Sequence, residues 1–225
     1  MQRHFVAELE ALKSDLIRMC SFAEEAIAES VRALLERRKE IAEAVMRNDS
    51  KINDFEIKID HNVVDLLALQ QPVATDLRFI LAASKISNEL ERIGDHAVNI
   101  AESAVQIALL PPLRPLVDIP QMAQITKGML RDAIDGFIHA SPTLCRAVLL
   151  NDDIIDNLNR KVVAELVALI RKEPEVVDQA LEYIRVSRNL ERVADLATNI
   201  AEEVIFMAEA QIVKHHLERK TGSGS

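Results

Sequence analysis

The chain has 225 residues, of which 49% are apolar and 3% aromatic, and its formal charge is −9. This apolar content is enough for a sizeable core, and the scarcity of glycine and aromatic residues beside abundant Ala, Leu and Glu predicts an all-α protein. The negative charge leaves no general cationic surface for phosphate backbones, which argues against nucleic acid as a partner. The two cysteines, Cys20 and Cys145, are far apart, so neither a disulfide framework nor a thiolate metal site is indicated.

Hydropathy along the chain argues against export and membrane insertion. Residues 1–10 are polar and charged, without the apolar core of a secretory signal. The longest stretch free of charged residues, 103–113, is far shorter than the roughly 20 apolar residues that a spanning helix needs. We therefore expect a cytoplasmic protein without a transmembrane segment.

Prolines and helical hydrophobic periodicity divide the chain into six predicted helices. In chain order they are residues 3–36, 39–70, 73–109, 118–138, 142–171 and 175–216. Pro111, Pro112 and Pro115 interrupt the chain near its midpoint, where a linker between two halves would fall. This predicts one three-helix unit at 1–112 and a second at 113–220, with 221–225 as a tail.

The two halves are related in sequence. Residues 87–103 and 187–203 are identical at ten of their seventeen positions, and Asn48-Asp49 recurs 103 residues later as Asn151-Asp152. A repeat of this length is too long for a solenoid and indicates a duplicated three-helix bundle. The predicted fold is therefore two tandem three-helix bundles.

Acidic and amide side chains form repeated stripes on the predicted helices. At about 100° per residue, each stripe occupies one face of its helix, opposite an aliphatic face. The stripes of the third and sixth helices are Glu91, Asp95, Asn99 and Glu102, and Glu191, Asp195, Asn199 and Glu202. Those of the second and fifth helices are Asp49, Asn53, Glu56 and Asp60, and Asp152, Asp156 and Asn159.

These stripes predict a metal site if the short connection at Gln71-Pro72 makes the helices pack antiparallel, with their stripes facing each other. Crowded carboxylates repel one another unless a cation neutralises them. Oxygen ligands without repeated cysteine or histidine favour iron, magnesium, manganese or calcium, and zinc is less expected. A solvated helix face is the ordinary explanation of a single acidic stripe, but retention of Glu, Asp and Asn in both copies favours metal binding.

The doubled segment resembles the PhoU family. The resemblance rests on ERIGDHAVNIAE at 91–102, ERVADLATNIAE at 191–202 and the Asn-Asp pairs, and it extends over nearly the whole chain. It implies metal clusters held by an E/D-x-x-x-D motif, which falls on Glu91, Asp95, Glu191 and Asp195. Asn99 and Asn199 stand where the extended motif often has Asp. The resemblance also implies a homodimer.

The resemblance implies that the chain is a cytoplasmic negative regulator of phosphate uptake and phosphate-starvation signalling. It would be an adaptor between the ATPase subunit of the phosphate ABC transporter and the phosphate-regulon sensor histidine kinase, reaching the inner membrane only through the transporter. We hypothesise that the metal-bridged stripes form the docking surface.

Two alternatives stay open. The first is a carboxylate-bridged di-iron enzyme, which is disfavoured because no histidine has a Glu three residues before it. The second is a metal-independent helical scaffold that binds its partner through Arg92 and Arg192, although structural ion pairing is the default role for both arginines.

Overall fold

The computed structural model describes residues 2–113 and 118–210, and within these ranges the chain is helical, without a strand. The helices are α1 (Gln2–Glu36), α2 (Lys39–Asn48), α3 (Ser50–Gln70), α4 (Ala74–Leu109), α5 (Asp118–Ile138), α6 (Pro142–Lys172) and α7 (Val177–Glu209). A single 3-10 turn, Pro174–Val176, precedes α7. No helix in the described part of the chain is long and apolar enough to cross a membrane.

The predicted all-α duplicated fold is confirmed, but the prediction of one continuous helix over 39–70 is wrong. The helix is interrupted at Asp49, between α2 and α3. Asn48, Asp49 and Ser50 are poor helix formers because their side chains compete for backbone hydrogen bonds. At the other end of the chain α7 ends before Ala210, which has φ 57°, and the rest of the predicted helix, 211–216, lies outside the described residues, as does the predicted tail at 221–225.

Each half of the chain forms a three-helix unit. The first unit contains α1, the interrupted pair α2 and α3, and α4; the second contains α5, α6 and α7. The units join where α4 packs against α7 and, to a smaller extent, where α1 contacts α5. Their buried aliphatic side chains form one continuous core, as expected when amphipathic helices bury their apolar faces against each other.

The turns that follow α1 and α5 show the duplication in atomic detail. Arg37 and Ala140, 103 residues apart, both adopt positive φ, at 55° and 47°. The next amide of each turn bonds back to a helix carbonyl, Arg38 N to Ala33 O at 2.9 Å and Ser141 N to Gly136 O at 2.8 Å. This is the Schellman pattern, which satisfies helix-terminal carbonyls and reverses the chain direction.

A buried ion pair is also duplicated. Lys58 Nζ lies 2.7 Å from Asp15 Oδ1, and Lys161 Nζ lies 2.9 Å from Asp118 Oδ2. Both aspartates are buried, whereas both lysines are half exposed. Each pair ties the first helix of its unit to the helix that bears the second acidic stripe, so it fixes the register in which the stripes are presented.

Ion pairs hold α4 against α7 and so join the two units. Lys85 Nζ on α4 lies 3.0 Å from both carboxylate oxygens of Glu203 on α7. Toward the other end of the interface, Arg185 on α7 contacts Asn99 and Glu102 on α4. The helices that carry the principal acidic stripes therefore form the junction of the two units.

Candidate metal-binding site

The two predicted stripes of the first unit face each other across α3 and α4. Burial raises the pKa of Glu91, and the nearby carboxylates of Asp95, Glu56 and Asp49 raise it further. The pKa of Glu56 is raised by burial first, and then by Asp60 and Asp95. Because Asp95 raises the pKa of Glu56 across the two helices, and Glu56 and Asp49 raise that of Glu91, acids of the two stripes are close enough to repel. The antiparallel pairing expected from the sequence has brought them together.

Asp49 lies close to α4, opposite Gly94. A Cβ added to Gly94 would lie 3.0 Å from Asp49 Oδ1 and 3.0 Å from Ile52 Cδ1, so the glycine allows this close approach. Asn53 Nδ2 donates a hydrogen bond of 3.2 Å to Asp49 Oδ2. Burial raises the pKa of the Asp49 carboxyl, the Asn53 hydrogen bond opposes that rise, and Asp95 adds to it. The helix interruption and the glycine therefore aim one carboxylate at the α4 stripe.

The second unit repeats this arrangement on α6 and α7. Burial raises the pKa of Glu191, and Asp195 raises it further while Arg192 opposes the rise; Asp156 and Asp152 on α6 add smaller contributions. The α6 stripe is therefore close enough to the α7 stripe to affect its ionisation. As in the first unit, acids of two helices therefore lie near one another.

The arginines next to the motifs are exposed in both units, but they bond differently. Arg92 Nη1 donates to Glu89 Oε2 at 3.1 Å, away from the stripe. Arg192 Nη1 instead donates to Asp195 Oδ2 at 2.9 Å, and its Nε lies 3.6 Å from Glu191 Oε2. Both predicted partner-binding residues therefore take part in ion pairs on their own helices.

The far end of the α4 stripe is held by the other unit. Arg185 Nη2 donates a hydrogen bond of 2.9 Å to Asn99 Oδ1 and a further hydrogen bond to Glu102 Oε2. The structure thus separates Asn99 and Glu102 from Glu91 and Asp95, which face α3. In the second unit Asn159 Oδ1 accepts a hydrogen bond from Ser187 Oγ at 2.7 Å. Asn199 is half buried on α7, one turn beyond Asp195.

His96 lies between the two units. Its Nδ1 is 2.8 Å from Asn189 Oδ1 on α7. Burial raises the pKa of the nearby Asp195 carboxyl, and Arg192 opposes that rise more strongly than His96 does. His96 directly follows Asp95 of the first unit in the chain, but its imidazole bonds a residue of the second unit.

The donor set of each site fits a hard cation, since it consists of carboxylate and amide oxygens that repel one another when no cation is present. Within 2–113 and 118–210, however, no three His, Cys, Asp or Glu side chains converge closely enough to hold a metal ion. The backbone therefore brings the predicted ligands to a common face, and side-chain rotation would have to bring their oxygens to one point.

Sequence reasoning missed several residues that shape these sites. The Asp15–Lys58 and Asp118–Lys161 pairs carried a detectable signal, because both of their members recur at the 103-residue offset. The role of Arg185 could not be detected in the sequence, since its partners lie on a helix of the other unit and its counterpart at the 100-residue offset is Lys85.

Fold and site together define a class of protein: a duplicated three-helix bundle with facing carboxylate stripes in each unit. A family model described as the PhoU domain matches residues 16–104 and 119–204, once in each unit. The chain belongs to the PhoU family.

Relatives match over nearly their whole length. The chain is 39% identical to a phosphate-specific transport system accessory protein PhoU homologue of Aquifex aeolicus, over 95% of this chain and 97% of the relative. The crystal structure of PhoU from Pseudomonas aeruginosa has 34% identity and a TM-score of 0.89, over 92% of this chain and 100% of that one. The phosphate transport system regulatory protein PhoU from Streptococcus pneumoniae has 27% identity and a TM-score of 0.86, over 93% and 99%.

Proposed function

We propose that the chain is a regulatory accessory protein of a phosphate transport system and acts as a metal-binding adaptor. It would link the ATPase subunit of the phosphate ABC transporter to the phosphate-regulon sensor histidine kinase on the cytoplasmic side of the membrane. Its effect would be to restrain phosphate uptake and starvation signalling when phosphate is plentiful. It would act by binding, without catalysing a reaction.

The observation that carries this proposal is the pairing of acidic stripes in both units of a PhoU-family chain. In the first unit Asp49 and Glu56 face Glu91 and Asp95. Burial, and to a smaller extent repulsion between carboxylates, raises the pKa of Asp49, Glu56 and Glu91, and a bound cation would relieve that repulsion. The hard-cation chemistry of these oxygens favours iron, manganese, magnesium or calcium over zinc. A cation there would fix α3 against α4 and present a rigid surface for docking.

Elemental analysis tests the metal-binding part. Purified protein is treated with a mild chelator, offered iron, manganese, magnesium, calcium or zinc in turn, and desalted. We expect retained metal in the parent protein and its loss after Glu91→Ala, Asp95→Ala, Glu191→Ala and Asp195→Ala are combined. A matched control replaces Asp54 and Asp65, exposed carboxylates of α3 outside the stripe, with Asn. Equal metal in all three proteins would contradict binding at the motifs.

A binding assay tests the adaptor part. The ATPase subunit and the kinase of the same organism are each immobilised, and the chain is applied with and without the retained metal. We expect the four-substitution variant to lose binding to at least one partner while the Asp54→Asn, Asp65→Asn control keeps it. A folded variant that binds both partners normally and supports normal repression of a phosphate-starvation reporter would refute a docking role for the stripes.

The metal-independent scaffold is the second candidate, because Arg92 and Arg192 are both exposed, with side-chain exposures of 56% and 63%. Under this alternative, Arg92→Glu with Arg192→Glu should abolish partner binding whereas removal of metal should leave it unchanged. The two candidates therefore predict opposite results from the same binding assay.

A further inference from the structure

The two motifs match in sequence but differ in the charge placed against them. Arg192 bonds Asp195 at 2.9 Å and lies 3.6 Å from Glu191, so a guanidinium covers the acidic pair of the second unit. In the first unit Arg92 bonds Glu89 instead, and it lowers the pKa of Glu91 less than the neighbouring carboxylates raise it. Among the described residues, no basic side chain forms an ion pair with Glu91 or Asp95.

A single substitution between the units explains the difference. Glu89 lies one turn before Arg92 and offers it a carboxylate that is largely shielded from solvent, with 19% of the side chain exposed. The residue at the equivalent position of the second unit is Asn189, which is buried and already bonded to His96 and to the Arg185 carbonyl. Arg192 therefore has no acid one turn behind it and bonds the acid one turn ahead.

This difference matters for any added cation because a guanidinium stays charged at all physiological pH values. A metal ion at Asp195 would have to displace Arg192 from the carboxylate oxygen that it occupies. A metal ion at Asp95 meets no such competitor and instead relieves repulsion between carboxylates.

We propose that the duplicated stripes are inequivalent cation sites, in which Arg192 acts as an internal counter-cation and the first unit therefore takes up metal before the second. This inference rests on the metal-binding part of the proposed function. The order in which the two sites bind metal would then be set by Glu89 and Asn189, two residues outside the shared motif, because they decide which acid the neighbouring arginine bonds.

Manganese titration of single-site proteins tests the order. Glu191→Gln with Asp195→Asn leaves the first site, and Glu91→Gln with Asp95→Asn leaves the second. Electron paramagnetic resonance of free Mn²⁺ then reports its affinity for each. We expect tighter binding at the first site, and Arg192→Gln should raise the affinity of the second about fivefold, the upper end for an exposed charge pair. The matched control, Arg92→Gln at the first site, should change affinity less than about twofold.

Replacing Glu89 with asparagine, the residue found at the equivalent position 189, gives an independent test. Glu89→Asn in the first-site protein removes the partner of Arg92, which should then turn to Asp95 and lower Mn²⁺ affinity about fivefold. Adding Arg92→Gln to that variant should restore the affinity about fivefold, whereas a simple loss of negative charge at residue 89 predicts that Arg92→Gln has the same small effect with or without Glu89→Asn.

The outcomes separate this inference from the proposed function. If the single-site proteins bind Mn²⁺ but Arg192→Gln and Glu89→Asn leave both affinities unchanged, the arginine does not set the order and the inference fails alone. If neither single-site protein nor its arginine variant binds Mn²⁺, the inference and the metal-binding part of the proposed function fail together. Thermal unfolding of every variant verifies that it is folded.

Discussion

Gly136 in α5 provides a sharp test of how the second unit is packed. A Cβ added there would lie 2.4 Å from Cys145 Sγ and 3.5 Å from the Ser141 carbonyl oxygen. Gly136 O also accepts the hydrogen bond that closes the turn into α6. The glycine thus permits the contact between α5 and α6, the helix that carries the acids Asp152 and Asp156.

The expected effect of Gly136→Ala is the difference between two opposing terms. Alanine is favoured over glycine in a helix interior by about 1 kcal/mol. Against this, the new carbon would overlap a buried sulfur by more than about 1 Å relative to normal contact, and overpacking of this kind costs up to about 3 kcal/mol. We expect a net loss of about 2 kcal/mol in the free energy of unfolding.

Urea denaturation followed by far-UV circular dichroism measures this loss, and two comparisons isolate its cause. Gly128→Ala in the same helix is the matched control, because its added Cβ meets no atom within 4 Å, and it should stabilise by about 1 kcal/mol. In a Cys145→Ala background the sulfur is gone, so Gly136→Ala should also become stabilising. If Gly136→Ala stabilised the parent protein as much as Gly128→Ala does, the packing argument would be refuted.

Three further predictions concern charge and burial. In chelator-treated protein Glu91→Gln should raise the melting temperature at neutral pH but not at about pH 4. The pKa of Glu91 is raised in the folded protein, so its ionised form destabilises the fold, and the carboxyl is ionised at neutral pH but largely protonated at about pH 4. Equal shifts at both pH values would contradict this. Arg37→Ala should lower the free energy of unfolding by about 1–2 kcal/mol in urea denaturation, since its guanidinium bonds the carbonyl of Ile107, in the last turn of α4, and that of Leu110, directly after the helix. Unchanged hydrogen exchange at the end of α4 would argue against that role. The thiols of Cys20 and Cys145 are buried, and burial raises the pKa of both, that of Cys145 to about 12. Both should therefore resist a thiol reagent until the protein unfolds. Rapid labelling of either thiol in the native protein would contradict their burial.

Much of the fold could be predicted because helical periodicity is a local property of the sequence, and the duplication is visible when the chain is compared with itself. Apolar spacing defined the helices, and the repeat showed that one three-helix unit occurs twice. The interruption at Asp49 was missed because a single weak position inside a strongly periodic segment does not alter its period. What the interruption leads to, the close approach of the Asp49 carboxylate to Gly94 on α4, is a tertiary contact.

The stripes could likewise be read from the sequence, since residues three or four apart share a helix face whatever surrounds the helix. That Asp49 and Glu56 face Glu91 and Asp95 followed once the antiparallel connection was assumed. The sequence could not reveal that Arg185 would bond Asn99, or that His96 would bond Asn189, because both contacts join residues of different units.

The sequence by itself thus determined the helices, their duplication and the acidic face of each, because these depend on backbone periodicity. Only the tertiary structure decided which charges meet. Glu91 and Asp95 are left to repel each other, whereas Asp195 is paired with Arg192, although the two motifs carry the same residues in the same order. An ion pair forms with whichever acid lies within reach of the guanidinium, and that distance is set by the packing of α4, α6 and α7 and by the neighbour at residue 89 or 189.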